Sequence, residues 1–380
     1  MFLKKRGHSS IRRWWWEVDT ILLMLIVAIM AVGALLITTA SPSVAERIGL
    51  PSFYFFHRHI VFLMIAAVIM FIFSYLPEKH LRKLCLLGFL GAICMMMTLP
   101  FVGDEVKGAK RWVSLAGISI QPSEFLKPFM AVVVGMILAE RNSQGKLPGF
   151  SMVGFLYVIA IALLLIQPDF GMSVSMTVVT AGQLFMAGLS IFWIIVSICS
   201  AICGVVLAYF ALPHVTKRID NFLHPEDVEN YQIERSLEAY EKGGFFGRGP
   251  GEGQIKSILP DSHTDFIFAV AGEELGAIVS IMILGLFFAV ILRMSMQIYK
   301  SKNLFHIYAT CGLLMHFAFQ TIFNVGVTLH LLPTKGMTLP FISYGGSSII
   351  SFAIALGVCM NFTRKWHNIE PTKTRTQYVR

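Results

Sequence analysis

The sequence predicts an all-α polytopic membrane protein with about ten transmembrane helices and one long extracytoplasmic loop. Three observations predict it. The 380 residues are 56% hydrophobic and only 14% charged, against roughly 25% charged in an ordinary soluble domain. Its 31 Phe and 20 Met exceed what soluble cores would cover. Apolar runs of about 20 residues recur, each long enough to cross a bilayer as a helix. The net charge of +9 is spread over loops and tails without an aromatic-basic groove, which argues against a nucleic-acid partner.

The runs fall at about 18–40, 58–76, 84–102, 120–139, 150–166, 171–188, 191–212, 264–292, 305–331 and 340–362. The first follows a basic stretch (Lys4, Lys5, Arg6, Arg12, Arg13). It is too long for a signal-peptide core and reads as a retained span. Gln167-Pro168-Asp169-Phe170-Gly171 divides the fifth run from the sixth, because proline breaks a helix. Lys and Arg in alternate loops number 18 on the side of the termini and 12 on the other, which places both termini in the cytoplasm. The expected organisation is a cytoplasmic tail at 1–17, a membrane domain at 18–363 and a cytoplasmic tail at 364–380. The long outer loop lies at about 213–263. Within it, a helical stretch near Glu226–Glu241 gives way to six glycines from Gly243 to Gly253, which let backbone approach closely. The six cysteines all lie in apolar runs, with neither metal-type spacing nor a pair in a polar loop.

Function is sought where polar residues are expensive. Glu124 and Lys127 lie three apart in the fourth span, so they share a helix face and can pair. Such a pair either neutralises itself to fix helix packing or lines a site. Upstream, Lys110-Arg111-Trp112 puts a guanidinium and an indole near the outer interface. Asp265 opens the eighth span, after His263, as either a carboxylate favoured by the helix dipole or a reactive acid. Glu273 and Glu274 point about 100° apart on a helix, so one of them is expected to pair with or cap a neighbour. The last span begins with Pro333, Lys335, Gly336, Pro340, Ser343, Gly345, Gly346, Ser347 and Ser348. Such broken, polar backbone is tolerated at membrane depth only under cover of protein or a water-filled cavity, although small residues also serve close helix packing.

Together these segments resemble the SEDS family (shape, elongation, division and sporulation), polytopic enzymes that polymerise bacterial peptidoglycan. The resemblance runs from about residue 14 to 365. It rests on Pro340-Phe341-Ile342-Ser343-Tyr344-Gly345-Gly346-Ser347-Ser348, on His263-Thr264-Asp265-Phe266-Ile267-Phe268, and on Gly272-Glu273-Glu274-Leu275-Gly276. Arg111-Trp112, Gln121-Pro122-Ser123-Glu124 and the Gln167–Gly171 stretch follow the family's order. Trp14-Trp15-Trp16, Ala40-Ser41-Pro42, Tyr231-Gln232 and Pro333-Thr334-Lys335-Gly336 are similar to the division branch rather than the elongation branch. Ser119 departs from it, standing where many division members carry arginine.

The resemblance implies a substrate, lipid II, and a reaction joining the donor's anomeric carbon to the 4-hydroxyl of an acceptor GlcNAc. Undecaprenyl pyrophosphate leaves. An α-linked donor giving a β-linked glycan is a single inverting displacement, which needs one base and cationic help for the leaving group. It implies Asp265 as that base and Arg111 first for the pyrophosphate, with Lys127, Arg248 and Lys335 behind it. Glu124, His263, Ser343, Gly345 and Gly346 complete the expected substrate-binding set. No metal motif is present and no cofactor is certain, although a divalent cation (Mg or Mn) at the pyrophosphate is compatible with the chemistry. Two rivals are a lipid II transporter, which needs no base, and a non-enzymatic division scaffold.

The chain carries no transpeptidase motif. The resemblance implies as partners a class B penicillin-binding protein, which would supply that activity, and other division-complex membrane proteins, at the division septum of the bacterial inner membrane. The expected docking faces are 277–290 and 305–322, through Gly276, Ala277, Ser280, Gly285 and Gly312, together with the glycine-rich end of the outer loop.

Overall fold

A computed structural model of the chain describes residues 10–364 apart from 107–108, 116–117, 146, 214, 217–219, 221–230 and 334–335. It opens with a short amphipathic helix, α1 (Ser10–Glu17). Trp14 is buried from it and donates to Ser74 Oγ at 3.0 Å. Glu17 pairs with Arg364 at 2.5 Å, so the two ends of the described chain meet. Asp19 caps α2 (Thr20–Arg47) by accepting from the amides of Ile21 and Leu22, and also takes the guanidinium of Arg293 at 2.7 Å. A carboxylate at a helix start satisfies orphan amides and favours the dipole.

All ten expected spans are helices. After α2 come α3 (Tyr54–Tyr75), α4 (Glu78–Val102), α5 (Pro122–Gln144), α6 (Gly149–Ile166), α7 (Phe170–Met186) and α8 (Ile191–Ala211). The outer loop then holds α9 (Tyr231–Gly243), followed by α10 (Ile267–Tyr299), α11 (Leu304–Thr328) and α12 (Gly346–Phe362). Of the helix expected near 226–241, residues 226–230 lie outside the described residues. Among the described residues, seven helices are long and apolar enough to cross a membrane by length and composition, while α7, α12 and the Ile202–Ala211 part of α8 are shorter apolar helices. Between α4 and α5 lies a small antiparallel sheet of order β1-β2-β3 (Asp104–Val106, Ala109–Leu115, Ile118–Ile120), which the sequence reading leaves as a loop.

Burial sorts the helices into an outer ring and a centre. In α5 and α11, 78% and 72% of the apolar window is buried in protein, against 33% or less in α2, α3, α4, α6 and α10. Nearly all of α12 is buried as well. Polar residues on α5, α11 and α12 therefore face protein rather than lipid, and can be kept there if they are hydrogen-bonded. The last span differs from its expected bounds in the way its prolines and glycines suggest: 336–345 is not helical, and the helix starts at Gly346. Phe341 turns this stretch with φ +60. It lies so close to α2 that a Cβ on Gly33 would overlap its carbonyl.

The eighth span is corrected by the structure. It runs further than expected and breaks at Gly276, where φ is +78 and ψ is 175, a conformation that glycine alone adopts cheaply. Two ladder bonds of the helix are missing there. The glycine loop replaces them: Glu273 O and Glu274 O accept from the amides of Arg248 and Gly249 at 3.0 Å each. On the other side, the amides of Ala277 and Ile278 donate to Gly244 O and Phe245 O at 2.9 and 3.3 Å. Residues 267–274 are buried in protein, and the exposed apolar flank begins at Ile278. The helix thus occupies 267–299 rather than 264–292, and its exposed apolar flank lies after the break.

Both glutamates before the break hold the outer loop, not one alone. Glu273 Oε1 accepts from the amides of Gln254 and Ile255 at 2.8 and 3.0 Å, while Glu274 Oε1 meets Lys256 Nζ at 2.5 Å. Their 100° divergence lets them grip successive residues of one segment from two sides.

Candidate active site

Asp265 lies at the turn into α10, partly buried. The turn is made by Asp261, at φ +54, whose carbonyl accepts from the amides of Thr264 and Phe266 at 3.0 and 3.3 Å. From α11, Asn324 Nδ2 donates to Asp265 O at 2.8 Å and to Met337 O at 2.7 Å. The Asp265 carboxylate faces the 336–345 stretch, where a Cβ added to Gly336 would sit 3.6 Å from its Oδ2.

Four residues earlier on the same face of α11, Gln320 makes the matching contact. Its Nε2 donates to Thr338 O at 2.9 Å, and its Oε1 accepts from Lys127 Nζ at 2.6 Å. Lys127 Nζ is also 2.7 Å from Glu124 Oε2, the pair being nearly sealed from solvent. Thr338 Oγ1 donates to Ser348 Oγ at 2.7 Å, Ser351 Oγ donates to Glu124 O at 2.6 Å, and Ser347 Oγ accepts from the amide of Gln121 at 3.0 Å. Two amides at i and i+4 thus tie the Asp265 turn, the non-helical stretch and the α5 ion pair into one polar network.

His263 sits behind Asp265, 8% exposed, with its ring 4.3 Å from Phe55 and 5.6 Å from Tyr344. Its carbonyl accepts from the Tyr344 amide at 2.9 Å. Burial holds the imidazole down at about 4, so near neutral pH it is an uncharged hydrogen-bonding group rather than a phosphate cation.

The other expected site residues fall as follows. Arg111 donates to the carbonyls of Gln167 and Pro168 at 3.1 and 2.5 Å, fastening the break between α6 and α7. Arg248 is exposed on the glycine loop beside the α10 break, donating through Nε to Lys242 O at 3.3 Å. Ser343 Oγ accepts from the Leu339 amide at 2.7 Å and closes the turn before α12. A Cβ on Gly345 would sit 3.1 Å from Thr338 Cγ2, and one on Gly346 would overlap the Phe62 ring, so both glycines admit close packing. Lys335 lies outside the described residues. Among the described residues, no three His, Cys, Asp or Glu side chains converge into a metal site. Gln320, Asn324, Thr338 and Tyr344 are missing from the expected site set. The signal for the first two was available, as side-chain amides four apart inside an apolar run.

The family model described as cell cycle protein, covering FtsW, RodA and SpoVE, matches residues 19–368. The chain belongs to this family. A probable peptidoglycan glycosyltransferase FtsW of Caulobacter vibrioides is 43% identical over 338 residues, 89% of this chain and 87% of that protein. Its counterpart in Escherichia coli O157:H7 is 36% identical over 338 residues, 86% of this chain and 81% of that protein. Among solved structures, the rod shape determining protein RodA of Thermus thermophilus matches with a TM-score of 0.69 at 24% identity, covering 92% of this chain and 97% of that one. A chain from a peptidoglycan synthase complex that coordinates polymerization and crosslinking matches with a TM-score of 0.74 at 23% identity, covering 91% and 97%. These likenesses establish the SEDS fold.

Proposed function

We propose that the chain polymerises lipid II into glycan strands for septal peptidoglycan, as an inverting glycosyltransferase that releases undecaprenyl pyrophosphate. One observation carries the assignment of roles. Asn324 and Gln320 fix a carboxylate-bearing turn and a buried lysine to adjacent residues, Met337 and Thr338, of the same non-helical stretch. Asp265 accepts the proton of the acceptor 4-hydroxyl as that oxygen attacks the donor's anomeric carbon. The bond to pyrophosphate breaks on the far side, where the leaving oxygens need positive charge, and Lys127 is the cation this network holds. No second, nucleophilic carboxylate is needed for a single displacement.

Both termini lie in the cytoplasm and the 213–263 loop outside, where the lipid II head group is presented. Crosslinking falls to a partner, a class B penicillin-binding protein, in keeping with a similar fold found in a complex that couples the two activities. Of the docking faces expected from sequence, α11 is withdrawn: a Cβ on Gly312 would overlap the Gln183 side chain inside the bundle. Gly285 on α10 has nothing within 4 Å and remains open to a partner helix.

The test is reconstitution. Purified chain in vesicles with labelled lipid II, with and without the partner, should yield glycan strands and free undecaprenyl pyrophosphate. A transporter would move the label across the bilayer and leave lipid II unpolymerised, which would overturn this reading.

A further inference from the structure

We infer that Phe245 and Phe246 insert into the adjacent leaflet of the bilayer, as an apolar foot by which the outer loop stands on the membrane. Phe245 and Phe246 are 74% and 85% exposed, although the turn that carries them is hydrogen-bonded on both flanks. Gly244 N donates to Tyr240 O, Gly247 N donates to Gly243 O at 2.8 Å, and the four bonds across the α10 break pin the turn on both flanks. The exposure is therefore built in, and in water each ring would forgo the gain of burying its apolar surface.

The depth of the turn is set by its partner residues. Phe245 O receives the amide of Ile278, where the exposed apolar flank of α10 (Ile278, Ile281, Met282, Phe288) begins. From 277 to 299 the helix rises about 34 Å at 1.5 Å per residue, close to the roughly 30 Å hydrocarbon thickness. The break consequently lies at the hydrocarbon boundary, and the two phenylalanines continue the lipid-facing surface of the span across it. Exposed Glu241, Lys242 and Arg248 bracket them. That is the arrangement of an interfacial anchor, with aromatic rings below and charges at head-group level.

The experiment uses the full chain in vesicles of phosphatidylethanolamine and phosphatidylglycerol. Phe246→p-benzoylphenylalanine is irradiated, and the peptide spanning position 246 is examined by mass spectrometry. The same probe at Phe245 guards against a variant that does not fold. Met282 serves as a lipid-facing reference and exposed Glu252 as an aqueous one. Phospholipid adducts at 245 or 246 should approach the yield at Met282 and exceed that at Glu252 several-fold. Yields at the level of Glu252, with Met282 labelled normally, would overturn the proposal. So would adducts in native membranes that go to a protein in place of lipid.

Discussion

The side-chain amide of Asn324 donates to the backbone carbonyl of Asp265 at 2.8 Å, and to that of Met337 at 2.7 Å. One residue of a central helix thereby holds two separate chain segments against each other, and the acid assigned as base is carried on one of them. Preorganisation of this kind is lost without loss of the base itself. Asn324→Leu keeps the volume but leaves two carbonyls unpaired, at about 1–3 kcal/mol for a buried group. The kcat of polymerisation should fall ~10- to 100-fold with KM for lipid II little changed, and Asn324→Gln should restore part of it. A residue with only a structural part would lower folded yield and leave the kcat of the surviving protein alone.

The Glu124–Lys127 pair should behave as a unit. Removing one partner of a buried pair strands the other, at about 3–5 kcal/mol, whereas removing both is far milder. Lys127→Met and Glu124→Leu are each expected to depress folded yield and thermal midpoint in detergent, and the double variant to recover much of both. Polymerisation should stay low in the well-folded double variant, because Lys127 also holds Gln320. Full activity in either single variant would contradict the assignment.

His263 gives a pH signature. Burial holds it at about 4 in the folded chain, against about 6.5 when unfolded. Below 6.5 the unfolded state takes up a proton that the folded state refuses, so stability falls as pH drops from about 6.5 to about 4 and then levels off. The full effect is on the order of 3 kcal/mol. His263→Phe, which suits the ring contacts with Phe55 and Tyr344, should flatten this part of the thermal midpoint against pH curve.

The α10 break should respond to a single methyl. Gly276→Ala forces a side chain into φ +78 against the backbone of the 245–247 turn, a strain of about 1–3 kcal/mol before the clash is counted. Hydrogen exchange should accelerate first at the amides of Arg248, Gly249, Ala277 and Ile278, which bridge the break. Uniform acceleration across α5 and α11 instead would show that the break is not a separable unit.

Two glycines that look alike in sequence should part company. Gly285→Leu should leave the chain folded and weaken co-purification with the penicillin-binding partner. Gly312→Leu should damage folding itself, since its Cβ would meet Gln183. Equal loss of partner binding in two equally stable variants would place α11 back at an interface.

The spans were legible because hydropathy in runs of about 20 residues is a local property, and all ten appear as helices. The proline break at Pro168 and the non-helical entry to α12 were legible for the same reason. What the sequence hid depends on contacts between distant segments. Gly276 lies inside an apolar run and breaks the helix only because residues 244–249, some 30 positions earlier, supply the missing hydrogen bonds. Glu273 and Glu274 were read from their helical angle, with one expected to pair or cap, and both do so on one segment of the outer loop. Asp265, Glu124 and Lys127 stood out as charges in apolar surroundings. Gln320 and Asn324, uncharged, did not, although they make the connections. Arg111 was read as the first candidate for the pyrophosphate, and the carbonyls it meets come from a turn more than 50 residues away.

The central claim is that Asp265 is the base of a lipid II polymerase, and its most direct test is the glycan yield of purified Asp265→Asn. The substitution preserves size and leaves the backbone carbonyl to Asn324, so the fold and lipid II binding should persist. Polymerisation should drop by at least ~100-fold, in line with the loss of a general base. Glycan synthesis at the wild-type rate by folded Asp265→Asn would contradict the account.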